Sequence, residues 1–282
     1  MNGLAQVNSL SKRYPAFSLE NVSFSLREGA VTGLIGRNGA GKTTLLKSML
    51  GFIQPDRGEV RFFGMDFEGN QQRIKQEIGY VAGSFGFYRG KRLSAITAVT
   101  APFYDAWDDQ VYRRCLKDFR LDERKTPAQL SEGMKVKYAL TLALSHHARL
   151  LILDEPTSGL DPVSRDELLD VLAQLNREGT TILYSTHVTS DLDRCADDIL
   201  YLRDGRLTAQ GSLRGFVSAW RDVSMTEEEH QRADDSLLIG CRRHRDGWEA
   251  LVRAEDAQRV PGSVAEADLE SVMIHLERGC GE

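Results

Sequence analysis

Residues 36–43 read G-R-N-G-A-G-K-T, a G-x-x-x-x-G-K-[ST] pattern in which each residue type has a task. Glycines let backbone N–H groups turn inward around a triphosphate. Lys42 would set its ammonium against β- and γ-phosphate oxygens, and the Thr43 hydroxyl can ligate Mg²⁺. Gly36, Arg37, Asn38, Gly39, Ala40, Gly41, Lys42, Thr43 and Thr44 are therefore candidate cofactor-binding residues. Farther along, residues 150–155 read L-L-I-L-D-E. The run puts two carboxylates at the C-terminal end of a buried strand, where ligands bind in open α/β sheets. Asp154 suits Mg²⁺, usually through water, and Glu155 can polarise an attacking water as a general base. Together these groups predict a bound nucleoside triphosphate and leave the use of its energy open.

The surrounding elements must hold those groups. The apolar run 31–35 predicts a buried strand before the loop, and 44–50 a helix whose N-terminus aims at the phosphates. Residues 22–26 alternate apolar and polar, and 59–63 read as another strand after the turn at 55–58. These predict an antiparallel sheet beside the nucleotide core. Short apolar runs at 150–153 and 181–184, with helical stretches between them, are the mark of a parallel sheet. Residues 199–208 read as a hairpin with a primed turn at Asp204-Gly205. The fold expected is α/β: a P-loop core with an antiparallel N-terminal β-subdomain and an inserted helical subdomain at about 84–145, with Pro102 as a boundary inside it. An ATP-binding domain over 1–215 would be followed by a small α/β appendage over 216–282. Within the appendage, polar 222–235 reads as a solvated linker or exposed helix, and 237–241 with 248–252 as a hairpin turning at Asp246-Gly247. Residues 265–276 read as a closing helix.

Composition narrows the class. The net charge of −5 disfavours a polyanion such as DNA or RNA as partner. No stretch approaches the roughly 18 apolar residues of a membrane span, and residues 1–5 lack the build of a signal peptide, so a cytosolic chain is expected. Cys115, Cys195, Cys241 and Cys280 are scattered and form no C-x-x-C pair, which favours reduced thiols. His146 and His147 are adjacent and point to different faces of a helix, a poor metal pair.

At this point the chain resembles the nucleotide-binding subunits of ABC transporters, over roughly residues 4–211. Leu130-Ser131-Glu132-Gly133-Met134 matches the family signature L-S-G-G-Q in spacing and at three of five positions. Ser158-Gly159-Leu160-Asp161 matches the D-loop, His187 the switch histidine, and Tyr14 the aromatic that stacks on adenine. The resemblance implies ATP sandwiched between two chains, with Ser131 and Gly133 acting on the other chain's γ-phosphate and Asp161 linking the two sites. Physics agrees for Ser131: a serine capping a helix presents a hydroxyl, free N–H groups and a positive dipole end. Glu155, His187 and Lys42 would be the catalytic residues, and ATP and Mg²⁺ the cofactors. The implied partners are a second copy or a paralogous ATPase subunit and an integral membrane permease, with no nucleic acid. That arrangement sets the chain peripherally on the cytoplasmic face of the membrane. The segment 103–108 and the altered signature look most like the bacterial subgroup that exports drugs or antimicrobial peptides. A soluble ABC ATPase with a regulatory, repair or translation role is the alternative.

Two departures stand out. Glu132 and Met134 replace Gly and Gln of the signature, and Glu132 is expected to point outward, since an inward carboxylate near a triphosphate would be costly. Gly83 stands where the family carries a glutamine that touches Mg²⁺ and senses the membrane partner, which implies slower or partner-gated hydrolysis. The aromatic segment 85–88 reads either as core or as a groove for a partner's helix.

Overall fold

Alternating burial builds the first elements of the chain, known here from a computed structural model that describes residues 3–82 and 88–278. β1 (Ala5–Tyr14) and β2 (Phe17–Leu26) form an antiparallel hairpin closed by the pair Tyr14 and Phe17. Val7 and Leu10 from one strand and Leu19, Val22 and Leu26 from the other are buried. β3 (Val31–Ile35) is buried at every position, and α1 (Lys42–Met49) follows it. β4 (Arg57–Phe62) returns to pair with β1, and β5 (Met65–Asp66) completes a sheet of order β2-β1-β4-β5. α2 (Phe67–Gln76) was not legible in the sequence pattern. It buries only Phe67 and Ile74, too thin a stripe to give a helical period.

The core sheet comes next. β6 (Ile78–Ala82) precedes a helical insertion of α3 (Leu93–Thr100), α4 (Asp109–Asp118) and α5 (Glu132–Ser145). β7 (Leu150–Asp154), α6 (Pro162–Arg177), β8 (Thr181–Thr186), α7 (Thr189–Cys195), β9 (Asp198–Arg203) and β10 (Arg206–Ser212) complete it. The order is β10-β9-β3-β8-β7-β6, with β9, β3, β8, β7 and β6 parallel. β7 and β8, like β3, are buried at every position, as strands covered on both faces must be. Register decides function here. Ile35 lies beside Thr186, and Ser185 beside Asp154, so neighbouring strands end level and deliver their next residues to one place.

Within the insertion, α3 ends at Thr100 and a 3₁₀ turn carrying Pro102 follows, as the proline predicts. Leu93, Ile96, Tyr112, Leu121, Leu130 and Tyr138 give this subdomain its own core. Gly83 and the aromatics at 85–87 lie outside the described residues.

The chain divides into compact units at 210/211, slightly ahead of the boundary expected at 215. The second unit holds α8 (Leu213–Ser218), β11 (Trp220–Met225), α9 (Glu227–His230), β12 (Ile239–His244), β13 (Gly247–Arg253), β14 (Ser263–Glu266) and α10 (Leu269–Arg278). Its sheet has the order β12-β13-β11-β14. Three readings are corrected. Residues 222–225 are not linker but part of an interior strand, with Val223 and Met225 buried and the Asp222 carboxylate accepting from the Ser271 hydroxyl at 2.5 Å. The hairpin pairs His244 with Gly247, so Arg245-Asp246 make the turn. The last helix starts at Leu269, because Ser263–Glu266 is drawn into the sheet beside β11.

The primed turn between β9 and β10 is present, with φ of 46° at Asp204 and 75° at Gly205. It also ties elements together: the Gly205 amide donates to the Ala40 carbonyl at 3.1 Å, and the Gly205 carbonyl accepts from the Glu20 amide at 2.8 Å. A Cβ at this position would fall 1.8 Å from the Ser18 carbonyl oxygen. Gly205→Ala should therefore combine left-handed strain with overpacking and destabilise the first unit by about 3 kcal/mol. Chemical denaturation of the purified chain measures it, and an unchanged midpoint would contradict this account of the turn.

Candidate nucleotide site

The loop leaves the buried strand β3 at Gly36 and enters α1 at Gly41. A Cβ at Gly36 would fall 2.2 Å from the Leu202 carbonyl oxygen. Gly41 has φ 106°, and a Cβ there would fall 2.5 Å from the Phe17 ring. Only glycine fits both places. α1 begins without a side-chain cap, so its first amides and the positive end of its dipole face outward from the loop. An anion is the natural partner of that arrangement.

Lys42 is 5% exposed, and its ammonium donates to the Gly36 carbonyl at 2.7 Å and to the Arg37 carbonyl at 3.3 Å. It also pairs with Glu155 Oε1 at 3.1 Å. The other Glu155 oxygen, Oε2, lies 2.7 Å from His187 Nδ1. Glu155 sits just past β7 with φ 52°, the left-handed region that a non-glycine residue enters at a cost of about 1 kcal/mol or more. What holds it there is its amide, which donates to both the carbonyl and the hydroxyl of Ser185 at 3.1 Å. Thr43 donates its hydroxyl to Asp154 Oδ1 at 3.1 Å, and Ser185 donates to the same oxygen at 2.8 Å. Lys42, Thr43, Asp154, Glu155 and His187 thus form one bonded cluster at the strand ends.

Tyr80 lies beside it. It pairs with Ile152 across β6 and β7, so its side chain shares a face with Asp154, two residues on. Burial first, then the Asp154 charge, push its pKa up to about 12. The group therefore stays protonated across the physiological range.

Ser131, Gly133 and Asp161 form a second group. Ser131 caps α5, its Oγ accepting from the Met134 amide at 3.2 Å. Glu132 points outward as expected and pairs with Lys135 at 2.6 Å. Gly133 packs against α6: a Cβ there would fall 3.3 Å from Ser164 Cβ. Asp161 caps α6, accepting from the amides of Val163 and Ser164 at 3.0 Å and from the Ser164 hydroxyl at 2.6 Å. The Ser164 hydroxyl, then its amide, hold the Asp161 carboxyl below the usual range. Tyr14 closes the β1–β2 hairpin and is 38% exposed, with the Lys12 ammonium 5.8 Å from its ring centre. The aromatic ring against the loop itself is Phe17, which no motif marked out.

Residues 19–158 match the ABC transporter family. The chain is 32% identical over 200 residues to the ABC-type transporter ATP-binding protein EcsA of Bacillus subtilis, covering 69% of this chain and 81% of that one. The chain belongs to this family. Bacitracin transport ATP-binding protein BcrA of Bacillus licheniformis is 31% identical over 211 residues, covering 73% of this chain and 69% of the relative. A solved structure of the ATP binding subunit of an ABC transporter superposes with a TM-score of 0.68 at 32% identity, over 76% of this chain and 93% of that one. This ABC subunit is thus an ATP-binding one with the family's ATPase fold.

Ser185 and Tyr80 are the residues that sequence reasoning missed. Neither lies in a motif, and only the strand register brings them to Asp154. Ser185→Ala strips a donor from a buried carboxylate and an acceptor from the strained Glu155 amide. It should destabilise the chain by about 2 kcal/mol. Equilibrium denaturation reads this out, and a loss no larger than that of an exposed serine, such as Ser25→Ala, would contradict it.

Proposed function

We propose that this ABC ATPase hydrolyses ATP to drive export of a drug-, peptide- or lipid-like compound through a separate transmembrane subunit. The observation that carries the hydrolytic reading is the Glu155 carboxylate, suspended between Lys42 and His187 beside the Thr43–Asp154 pair. Lys42 exchanges its loop carbonyls and Glu155 for phosphate oxygens when ATP enters, and the loop amides close around the β-phosphate. Glu155, released from the ammonium, polarises the attacking water and accepts its proton. His187, already bonded to Glu155, orients that water against the γ-phosphate. Tyr14 stacks on adenine.

Thr43 and Asp154 would hold Mg²⁺. Their oxygens are hard donors 3.1 Å apart, one of them on a buried carboxylate, which suits a cation that takes one or two protein ligands and the rest from phosphate and water. When bound, it neutralises charge on the phosphates.

The second group acts across a dimer. Ser131 keeps a hydroxyl proton to donate while its oxygen caps α5, and with the Gly133 amide it faces the partner copy's γ-phosphate. Asp161 joins one site to the other. The active form is a dimer of this chain or of this chain with a paralogue, docked on a permease at the cytoplasmic face of the membrane. No helix among the described residues is long and apolar enough to cross a membrane, so the pore is assigned to another chain. Export of a peptide-like compound rests on the likeness to the bacitracin transport protein. Gly83 supports a turnover gated by that permease.

Glu155→Gln tests the reading. The variant should bind ATP, accumulate as a dimer by light scattering, and release phosphate at least about a hundredfold more slowly. A monomer under saturating ATP, or ordinary turnover, would sink the assignment of Glu155. Co-purification with an integral membrane protein tests the permease.

A further inference from the structure

A second buried carboxylate besides Asp154 lies among these elements, and the roles above do not use it. Asp191, on α7, is 1% exposed. Its Oδ2 accepts from the Tyr184 hydroxyl at 2.6 Å and from the Thr157 hydroxyl at 2.8 Å. Its Oδ1 accepts from Arg165 Nε at 2.5 Å, and the same guanidinium donates to the Ser190 hydroxyl at 3.0 Å. The two hydroxyl oxygens are themselves 2.9 Å apart. Between them they have a proton each, and both protons are spent on the carboxylate when it is charged. Burial, then the charge of Asp191, push the Tyr184 hydroxyl's pKa upward, so it remains a donor.

The partners come from three places that adjoin Glu155, His187 and Asp161: the turn after β7, β8 and α6. Thr157 follows Glu155 in the turn after β7. Tyr184 lies on β8, just ahead of His187. Arg165 stands one turn along α6 from Asp161, and Asp191 itself is one turn beyond His187. A buried carboxylate is tolerated only when its lone pairs are filled, so these donors cannot drift independently.

We propose that Asp191 is a positioning residue that fixes Glu155, Asp161 and His187 relative to one another during ATP hydrolysis. Its role presupposes that Glu155 and His187 carry hydrolysis, as proposed above. Asp191 touches no reacting atom. Removing its charge leaves the part-exposed Arg165 guanidinium against an amide and frees the turn after Glu155 to move against α7, a displacement that catalysis feels more than binding does.

The test uses the purified full chain, with hydrolysis of bound MgATP followed in a single turnover and normalised to the nucleotide bound. Asp191→Asn keeps the side chain's shape and should slow hydrolysis about tenfold or more with ATP affinity within about twofold of the parent. Tyr184→Phe removes one donor only, folds even if the first variant does not, and should slow hydrolysis about threefold or more at unchanged affinity. A merely structural role would lower the amount of nucleotide bound and leave the normalised rate alone. Normalised rates within about twofold of the parent in the variants overturn the proposal. Parental turnover in His187→Ala would instead overturn the reading of the site, and this role with it.

Discussion

A lysine ammonium that is almost wholly out of water must be surrounded by oxygen, and most of the nucleotide-binding core follows from meeting that demand. Lys42 finds the Gly36 and Arg37 carbonyls and the Glu155 carboxylate. The carbonyls turn inward only because the loop is bent tightly enough to require glycine at Gly36 and Gly41. The carboxylate is in reach only because β7 and β3, separated by β8, end level. Leaving such a charge unpaired would cost several kcal/mol, so the loop's curvature, the strand order and the strained Glu155 backbone are selected together. A triphosphate carries more negative charge than the groups it would displace, so the same demand that shapes the loop makes it a nucleotide site.

Two hydrogen-bonded ties convert this local balance into a rigid site. Ser185 bonds the Asp154 carboxylate and the Glu155 amide at once, so the groups assigned to metal and to water share one anchor. Gly205 holds the Ala40 carbonyl from the opposite side, so the loop is braced by the β9–β10 turn. Because neither tie involves a group assigned to phosphate, both can persist while Lys42 changes partners. That is what a preorganised site requires: the supports stay fixed while the charges rearrange.

Features set by neighbours in the chain were legible in sequence. The phosphate loop, the paired carboxylates, the primed turn at Asp204-Gly205 and the Ser131 cap all stand where their spacing puts them. Features set by neighbours in space were not. Ser185 and Tyr80 meet Asp154 through strand register, which no local pattern encodes. Phe17 meets the loop because a hairpin carries it there. Asp222, Val223, Ser224 and Met225 alternate polar and apolar as a strand should. The alternation is short and runs into the acidic stretch at 227–229, whose composition is that of a solvated segment. α2 escaped for the opposite reason, since two buried residues cannot display a period.

The altered signature looks hostile to an anion until its charges are counted in place. Glu132 is bridged to Lys135 one turn along the same helix, so the pair is neutral and its field falls off as a dipole's does. Its carboxylate is half exposed and turned toward water, which screens what remains. The groups that would touch phosphate, the Ser131 hydroxyl and the first amides of α5, are backbone or cap features that do not depend on the third signature residue. Gly133, by contrast, cannot gain a side chain without pressing on Ser164, and Ser164 is what holds the Asp161 carboxylate. The third position of the signature therefore faces water, while a side chain at the fourth would have to displace Ser164 by a few tenths of an ångström.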